Sequence, residues 1–358
     1  AMYHAAKSGL KVLGLDRFPP GHDRGSSHGE TRMIRMSYFE HPNYVPLLRR
    51  AYDLWDELAE RRGENLFHRT GLLYAGPAES VIIRGVQESA KEHDLDLEVV
   101  SHSEQMDRFA GFQWPKEYTA LFEPNAGYLR VEDCVIAHIE EAVREGAEHR
   151  HGETILSWKR DGSGILVTTD RGSYHTEKLI VTAGCWANTF LDDLGIPLQI
   201  LRKHLHWFEA PDEPYHESNG CPSFAFDVGG NFVYGFPKNS PEGVKISEHS
   251  IYGTEISNPL EDSREPEADD DARIEAALQA HLPGVSLNRL RHVVCFYTLS
   301  PDEHFIIDRH PELENVAFAA GLSGHGFKCA SAIGESLVDL VSGKKTVSDI
   351  RFLGVDRF

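Results

Sequence analysis

Between residues 200 and 294 apolar and polar positions alternate with a period of two, most clearly over 205–209, 224–228, 231–236 and 244–247. That period belongs to strands, and its density predicts an antiparallel sheet. A β-meander is expected over 154–174, with turns at Asp161-Gly162 and Arg171-Gly172. Short apolar runs at 71–76, 179–183, 292–297 and 315–320 read as further strands, and helices are expected over 43–62, 131–148, 272–282 and 329–341. Residues 1–9 read as the end of an amphipathic helix capped by Gly9, followed by a buried strand, 11–16, that ends on Asp16. A strand closing on an acid after a helix is the second half of a dinucleotide-binding βαβ unit, with the acid placed for ribose hydroxyls. The first strand and its glycine loop do not precede it, so the chain is expected to begin inside its first helix. The whole predicts an α/β protein of two interleaved domains. Residues 1–65, 125–198 and 296–358 form a Rossmann-like cofactor domain, and 66–124 with 199–295 form an antiparallel-sheet substrate domain.

Composition narrows the partners. The 358 residues are 41% hydrophobic and 10% aromatic, as in ordinary globular chains, and no run reaches the ~20 apolar residues of a membrane span. A formal charge of −20 opposes nucleic acid and anionic membranes as partners. The acid-rich segment 261–271 reads as a solvated loop ending in a helix N-cap, not as a metal site. Five scattered cysteines without a CxxC pair fit a reducing compartment, so the expected location is the cytoplasm.

Chemistry concentrates at two places far apart in the chain. Cys295 ends an apolar strand, and about thirty residues later the turn Gly321-Leu-Ser-Gly-His-Gly-Phe-Lys328 opens a helix. A glycine turn at a helix start offers backbone N–H groups and the helix dipole to a group carrying negative charge. With an isolated cysteine beside it, this points to a tethered, electron-accepting cofactor. The second place, Ser26-Ser27-His28-Gly29-Glu30-Thr31-Arg32-Met33-Ile34-Arg35, is too polar for a core element.

These segments, together with LDRFPP, GYLRVED, LIVTAGCW and VYGFP in the same order, resemble the monomeric sarcosine oxidase and N-methyltryptophan oxidase family, flavoenzymes that oxidise secondary amino acids. The resemblance implies FAD held covalently by Cys295, a small amino-acid substrate, O2 as electron acceptor and a monomer. It places Asp16, Arg17, Ser26, Ser27, Thr31, Ala183, Trp186, Gly324, Gly326 and Lys328 at the cofactor. His28 and Arg32 would face the flavin together if their segment ends helically. Arg35 and Lys328 would clamp the substrate carboxylate, since that group wants fixed cations. Tyr234, His249 and Tyr297 would line the pocket. Lys245 would promote O2 reduction by stabilising developing superoxide. Cys329 is read as packing. Ser27 and Glu30 depart from the family's usual histidine and aspartate. Ala225 stands where a larger side chain would narrow the pocket.

Two other functions are open to this sequence. The 20 histidines, with pairs such as His204/His206 and His149/His151, prompt a metal-dependent hydrolase, but no HxxxH or HxH recurs with a carboxylate partner. A non-catalytic, flavin-poor scaffold is the other alternative.

Overall fold

The computed structural model describes residues 1–229, 231–250 and 253–358. The helix Tyr44–Arg62 buries Leu47, Leu48, Ala51, Leu54, Trp55 and Leu58, a stripe at helical spacing, and closes on Gly63 in the left-handed region at φ 64°. That stripe packs on the helix Ala330–Val341 through Ala332, Ile333, Leu337 and Val341. The helix Ala330–Val341 in turn lies against the strands Ile306–His310 and Leu313–Ala320, whose Ile307, Ala317 and Ala319 join the same core. The strand Leu179–Val181 runs parallel to Leu313–Ala320, and Leu13–Asp16 runs parallel to Glu148–His151. Helices covering parallel strands make this part an α/β layer.

Among the described residues, the largest sheet has eight strands. Their order is Arg289–Leu299, Gln199–Phe208, Val244–His249, Phe232–Phe236, Ser223–Asp227, Leu72–Pro77, Tyr118–Glu123 and Glu98–Val100. Alternation gives this sheet two different faces. Phe208, Phe224, Phe226, Val233, Val244 and Ile246 turn toward Ile274 and Leu278 of the helix Ala268–His281. On the other side Tyr74, Ala225, Phe232, Tyr234 and Phe236 form a separate cluster with Met33 and Tyr128. Both faces are covered, which is why several of these strands are buried along their whole length.

Three expectations need correction. The sheet is not wholly antiparallel, because Ser223–Asp227 pairs parallel with Leu72–Pro77. The helix expected over 131–148 ends at Arg144, where Gly146 at φ 93° turns the chain into the strand Glu148–His151. The polar tail EGAEHR carries no periodic signal that would mark this change. The helix expected at 272 begins at Ala268, because Asp269, Asp270 and Asp271 in its first turn complement the helix dipole. The acid run is therefore only partly solvated. Asp262 is buried on Arg202, and Asp270 is buried against His206 at 2.6 Å.

Leu337 is fully buried between the two helices and the strands. Leu337→Ala is expected to lower stability by about 2–5 kcal/mol. This should be seen as a lower urea midpoint at unchanged slope.

Candidate active site

Four stretches of chain converge on a cavity of about 50 Å³ lined by Arg32, Met33, Arg35, Glu40, Phe232, Tyr234, His249, Tyr297, Gly324, His325, Phe327 and Lys328. The segment around Arg32 is the strand Thr31–Ile34, paired antiparallel with Gly127–Arg130, and not a helical end. Extended backbone suits Thr31, Met33 and Ile34, whose buried side chains a strand can place on both of its faces. His28 and Arg32 are brought together by the turn before this strand and not by helical spacing.

The glycine turn reaches the cavity from the far end of the chain. Gly324 lies at φ 81°, and a Cβ there would stand 2.3 Å from the Tyr297 ring, so only glycine lets the turn pass this close. Gly326 is similarly pressed by Leu322. Trp55 Nε1 donates to the Lys328 carbonyl at 2.8 Å and ties the turn to the helical layer. Lys328 Nζ donates to the His325 carbonyl at 2.7 Å and stands 5.1 Å from the Tyr38 ring centroid. Burial first, then Arg35, lowers Lys328 to about 8.

Arg35 is buried and held by both Glu40 oxygens at 2.7 Å, by the Ser37 carbonyl at 2.9 Å, and between the rings of Tyr38 and Phe39. Burial works to raise the Glu40 carboxyl, but Arg35, followed by His325 and Lys328, outweighs it and holds Glu40 at about 2. The loop carrying this pair is fixed by Glu123, which accepts the Met36 and Ser37 amides at 2.5 and 3.1 Å. His249 Nδ1 and the Tyr297 hydroxyl are 3.0 Å apart, and burial leaves His249 neutral, at about 3.

Behind the cavity, Cys295 Sγ lies 3.2 Å from Arg32 Nη2, which also donates to the Ser26 carbonyl at 2.8 Å. Ser26 Oγ donates to the Phe296 carbonyl at 2.6 Å, so the strand with Cys295 and the N-terminal segment are directly joined. Lys245 Nζ donates to the Gly29 carbonyl at 2.5 Å, the Thr31 carbonyl at 2.8 Å and Thr31 Oγ1 at 3.1 Å, between the Trp207 and Phe236 rings. Three acceptors fit an ammonium, while burial and then Arg32 pull Lys245 well below the ordinary lysine range. His28 is buried with Nε2 unpartnered, and burial, then Arg32, lowers it to about 3. Ser27 beside it is half-buried.

The remaining expected cofactor residues form a second group. Asp16 Oδ1 accepts the Phe18 amide at 2.8 Å, exposed Arg17 stands over the Phe18 ring, and that ring lies 6.0 Å from Trp186, three residues after Ala183. Ala225 does not line the cavity. It is paired with Tyr74 on one side and with the lining residue Tyr234 on the other. Cys329 is buried in the helical core, which pushes its thiol up to about 12.

Sequence reasoning missed three residues. His325 sits inside the glycine motif, with Nδ1 2.5 Å from the Tyr38 hydroxyl and Nε2 3.0 Å from the Glu303 carbonyl. Glu40, five residues after Arg35, is its counter-ion. Glu132 accepts the Gly29 and Glu30 amides at 2.7 and 3.0 Å and so shapes the loop that holds Lys245. An acid in a helix's first turn was its available signal.

The described groups fit a flavin. An orphaned imidazole nitrogen, a guanidinium on a cysteine sulfur and a bound ammonium surround one spot, and a carboxylate ends the strand Leu13–Asp16. His206, Asp270 and Asp271 also gather on the opposite side of the sheet, but Arg289 is bonded to Asp271, and Arg273 lies 3.6 Å from Asp270.

The FAD-dependent oxidoreductase family (DAO) matches residues 1–340. Monomeric sarcosine oxidase of Bacillus sp. (strain NS-129) is 39% identical, the match covering 100% of this chain and 93% of that protein. N-methyl-L-tryptophan oxidase of Yersinia pestis (strain Pestoides F) is 37% identical, over 100% and 95%. The fold is also that of NikD, an unusual amino acid oxidase essential for nikkomycin biosynthesis, with a TM-score of 0.84, 23% identity, and coverage of 99% and 93%.

The lowered Lys328 gives a pH signature. The ammonium form attracts a carboxylate and is lost as pH rises through about 8. Binding of a simple carboxylate such as propionate is therefore expected to weaken above pH 8 and to be flat across that range in Lys328→Met. A wild-type profile without this inflection would show that Lys328 does not act on a bound carboxylate.

Proposed function

Because the chain belongs to the FAD-dependent oxidoreductase family, we propose that it oxidises a secondary, N-methyl amino acid to an imine and passes the electrons to O2 as hydrogen peroxide. The observation that carries this reading is the meeting of Arg35 and Lys328 with Tyr234, His249 and Tyr297 around one cavity, against the Arg32–Cys295 contact. FAD, when bound, accepts the two electrons from the substrate's C–N bond. The chain's residues do the rest. Lys328 and Arg35 hold the carboxylate, and Glu40, with both oxygens on Arg35 Nη2, keeps that guanidinium in place. Tyr234 and Tyr297 wall the amine substituent. His249, neutral near pH 7, can accept a hydrogen bond without adding charge. Asp16, Arg17, Ser26, Ser27, Thr31, Ala183, Trp186, Gly324 and Gly326 surround the cofactor, with Cys295 as its covalent anchor and His28 and Arg32 at its ring. The domain division at 65, 125, 198 and 295 is part of this reading, as are a monomer and a cytoplasmic location.

Substrate breadth turns on Ala225. It is paired with Tyr74 and with the lining residue Tyr234, and a side chain this small beside Tyr234 supports acceptance of N-methyl amino acids bulkier than sarcosine. Purified protein is expected to be yellow and to release peroxide with sarcosine, N-methyl aromatic amino acids, proline, pipecolate or glycated amino acids assayed side by side. Activity confined to sarcosine would refute the role of Ala225. Colourless protein without peroxide would sink the whole reading.

The role proposed for Lys245 would separate the two half-reactions. A positive charge there helps most when charge develops on oxygen, and losing one such group costs on the order of 10²–10³ in rate. Lys245→Met is expected to slow reoxidation of reduced flavin by about that factor while anaerobic reduction by substrate changes much less. Stopped-flow traces with both steps slowed equally would contradict the assignment.

A further inference from the structure

The strands Gln199–Phe208 and Arg289–Leu299 pair antiparallel with Lys203 opposite Cys295 and Leu201 opposite Tyr297. Opposed residues in such a pair share a face, with Cβ atoms roughly 4.5–5.5 Å apart. Lys203 therefore stands beside Cys295 on the side that carries Tyr297, and its Nζ lies 5.3 Å from the Tyr297 ring centroid. It is buried, and Nζ donates to Ser250 Oγ at 3.0 Å. From the other direction Arg32 Nη2 reaches the same sulfur at 3.2 Å. Two cations thus flank Cys295. Burying an ammonium is unfavourable, and Leu201 and Leu205, next on this face of the strand, fill the same kind of space without that cost. Glu248 and Asp270, two acids that act on Lys203, stand on the sheet's opposite face beside Arg273. A cysteine becomes nucleophilic as its thiolate, which a neighbouring cation favours.

We propose that Lys203 is a positioning residue for covalent flavin attachment, its ammonium stabilising the Cys295 thiolate as Sγ bonds to the flavin 8α carbon. This rests on the reading that Cys295 carries the flavin. In the step, one S–H and one C–H bond break and one S–C bond forms. The two protons and two electrons released are taken up by the flavin ring and pass to O2 as hydrogen peroxide.

The test uses the full chain purified free of flavin and then given FAD in air, as wild type, Lys203→Met, Lys203→Arg, Cys295→Ala and Cys329→Ala. Three quantities are followed: acid-stable flavin against time, non-covalent FAD binding by fluorescence quenching, and the rate at which methyl methanethiosulfonate modifies Cys295 before FAD is added. Lys203→Met is expected to slow both linkage and thiol modification about tenfold, the effect of removing one nearby charge, with FAD binding unchanged. Lys203→Arg should restore most of both rates, and its normal thiol access controls for packing. Wild-type rates in Lys203→Met, or equal slowing in Lys203→Arg, overturn the proposal. Acid-stable flavin surviving in Cys295→Ala, and lost in Cys329→Ala, would instead remove the linkage reading. The thiol modification rates then still judge Lys203: a tenfold fall supports its action on the sulfur, and no change overturns it.

Discussion

The constraint on which the site depends is the burial of cations next to one another. Arg35, Lys203, Lys245 and Lys328 are buried, and Arg32 is half-buried beside them. Taking such groups out of water is costly unless charge or hydrogen bonds compensate. Arg35 has a carboxylate in direct contact, Glu40. Lys245 and Lys328 are held by backbone carbonyls, Lys245 also by a threonine hydroxyl, while Lys203 meets a serine hydroxyl and Arg32 meets carbonyls and a sulfur. For Lys245 and Lys328 the neutral oxygens described fix an ammonium in place without cancelling its charge. The result is a pocket already organised for negative charge, whether a substrate carboxylate, a reduced flavin or a developing oxygen anion.

Holding the cations there requires two ends of the chain to be locked together. The strand Thr31–Ile34 delivers Arg32 and two of the three Lys245 acceptors, while the turn at Gly324 delivers Lys328. Trp55 on the long helix grips the turn from below, and Glu132 and Glu123 grip the N-terminal loops through their amides. Neither carboxylate is a neighbour of Lys245 by hydrogen bond, yet Glu132 shapes the loop whose Gly29 carbonyl Lys245 touches, and Glu123 shapes the loop that follows Arg35. Rigid elements carry the site, and short loops aim it.

Much of this was legible in the chain. The strand with Cys295, the glycine turn, the hairpin with Tyr234, Lys245 and His249, and the helix at 43–62 all announce themselves through periodicity or special residues. Hidden were the features that depend on meetings across the fold. Nothing local in the chain says that Glu40 neutralises Arg35, that Glu132 caps the Gly29 loop, or that Lys203 faces Cys295. That last pairing needs the register of two strands whose facing residues are 92 positions apart. The strand at Arg32 was obscured because glycine and serine dominate the residues before it. The helix beginning at Ala268 was obscured because acids that favour its N-terminus also look like a solvated loop.

Net charge and site charge are separate quantities here, and the difference constrains what can enter. The chain carries −20 overall, while the cavity is lined by Arg32, Arg35 and Lys328 against one carboxylate. Screening confines surface charges to about 8 Å at physiological ionic strength. The field of the acidic surface therefore falls off before it cancels the buried cations, which lie in a less screened interior. A zwitterionic amino acid has no net charge to be repelled on approach, yet presents a carboxylate once inside. A dianion would be repelled outside, and a lone cation would be opposed within. The arrangement of charge by itself thus favours a small, neutral molecule with one carboxylate, independently of any shape the walls impose.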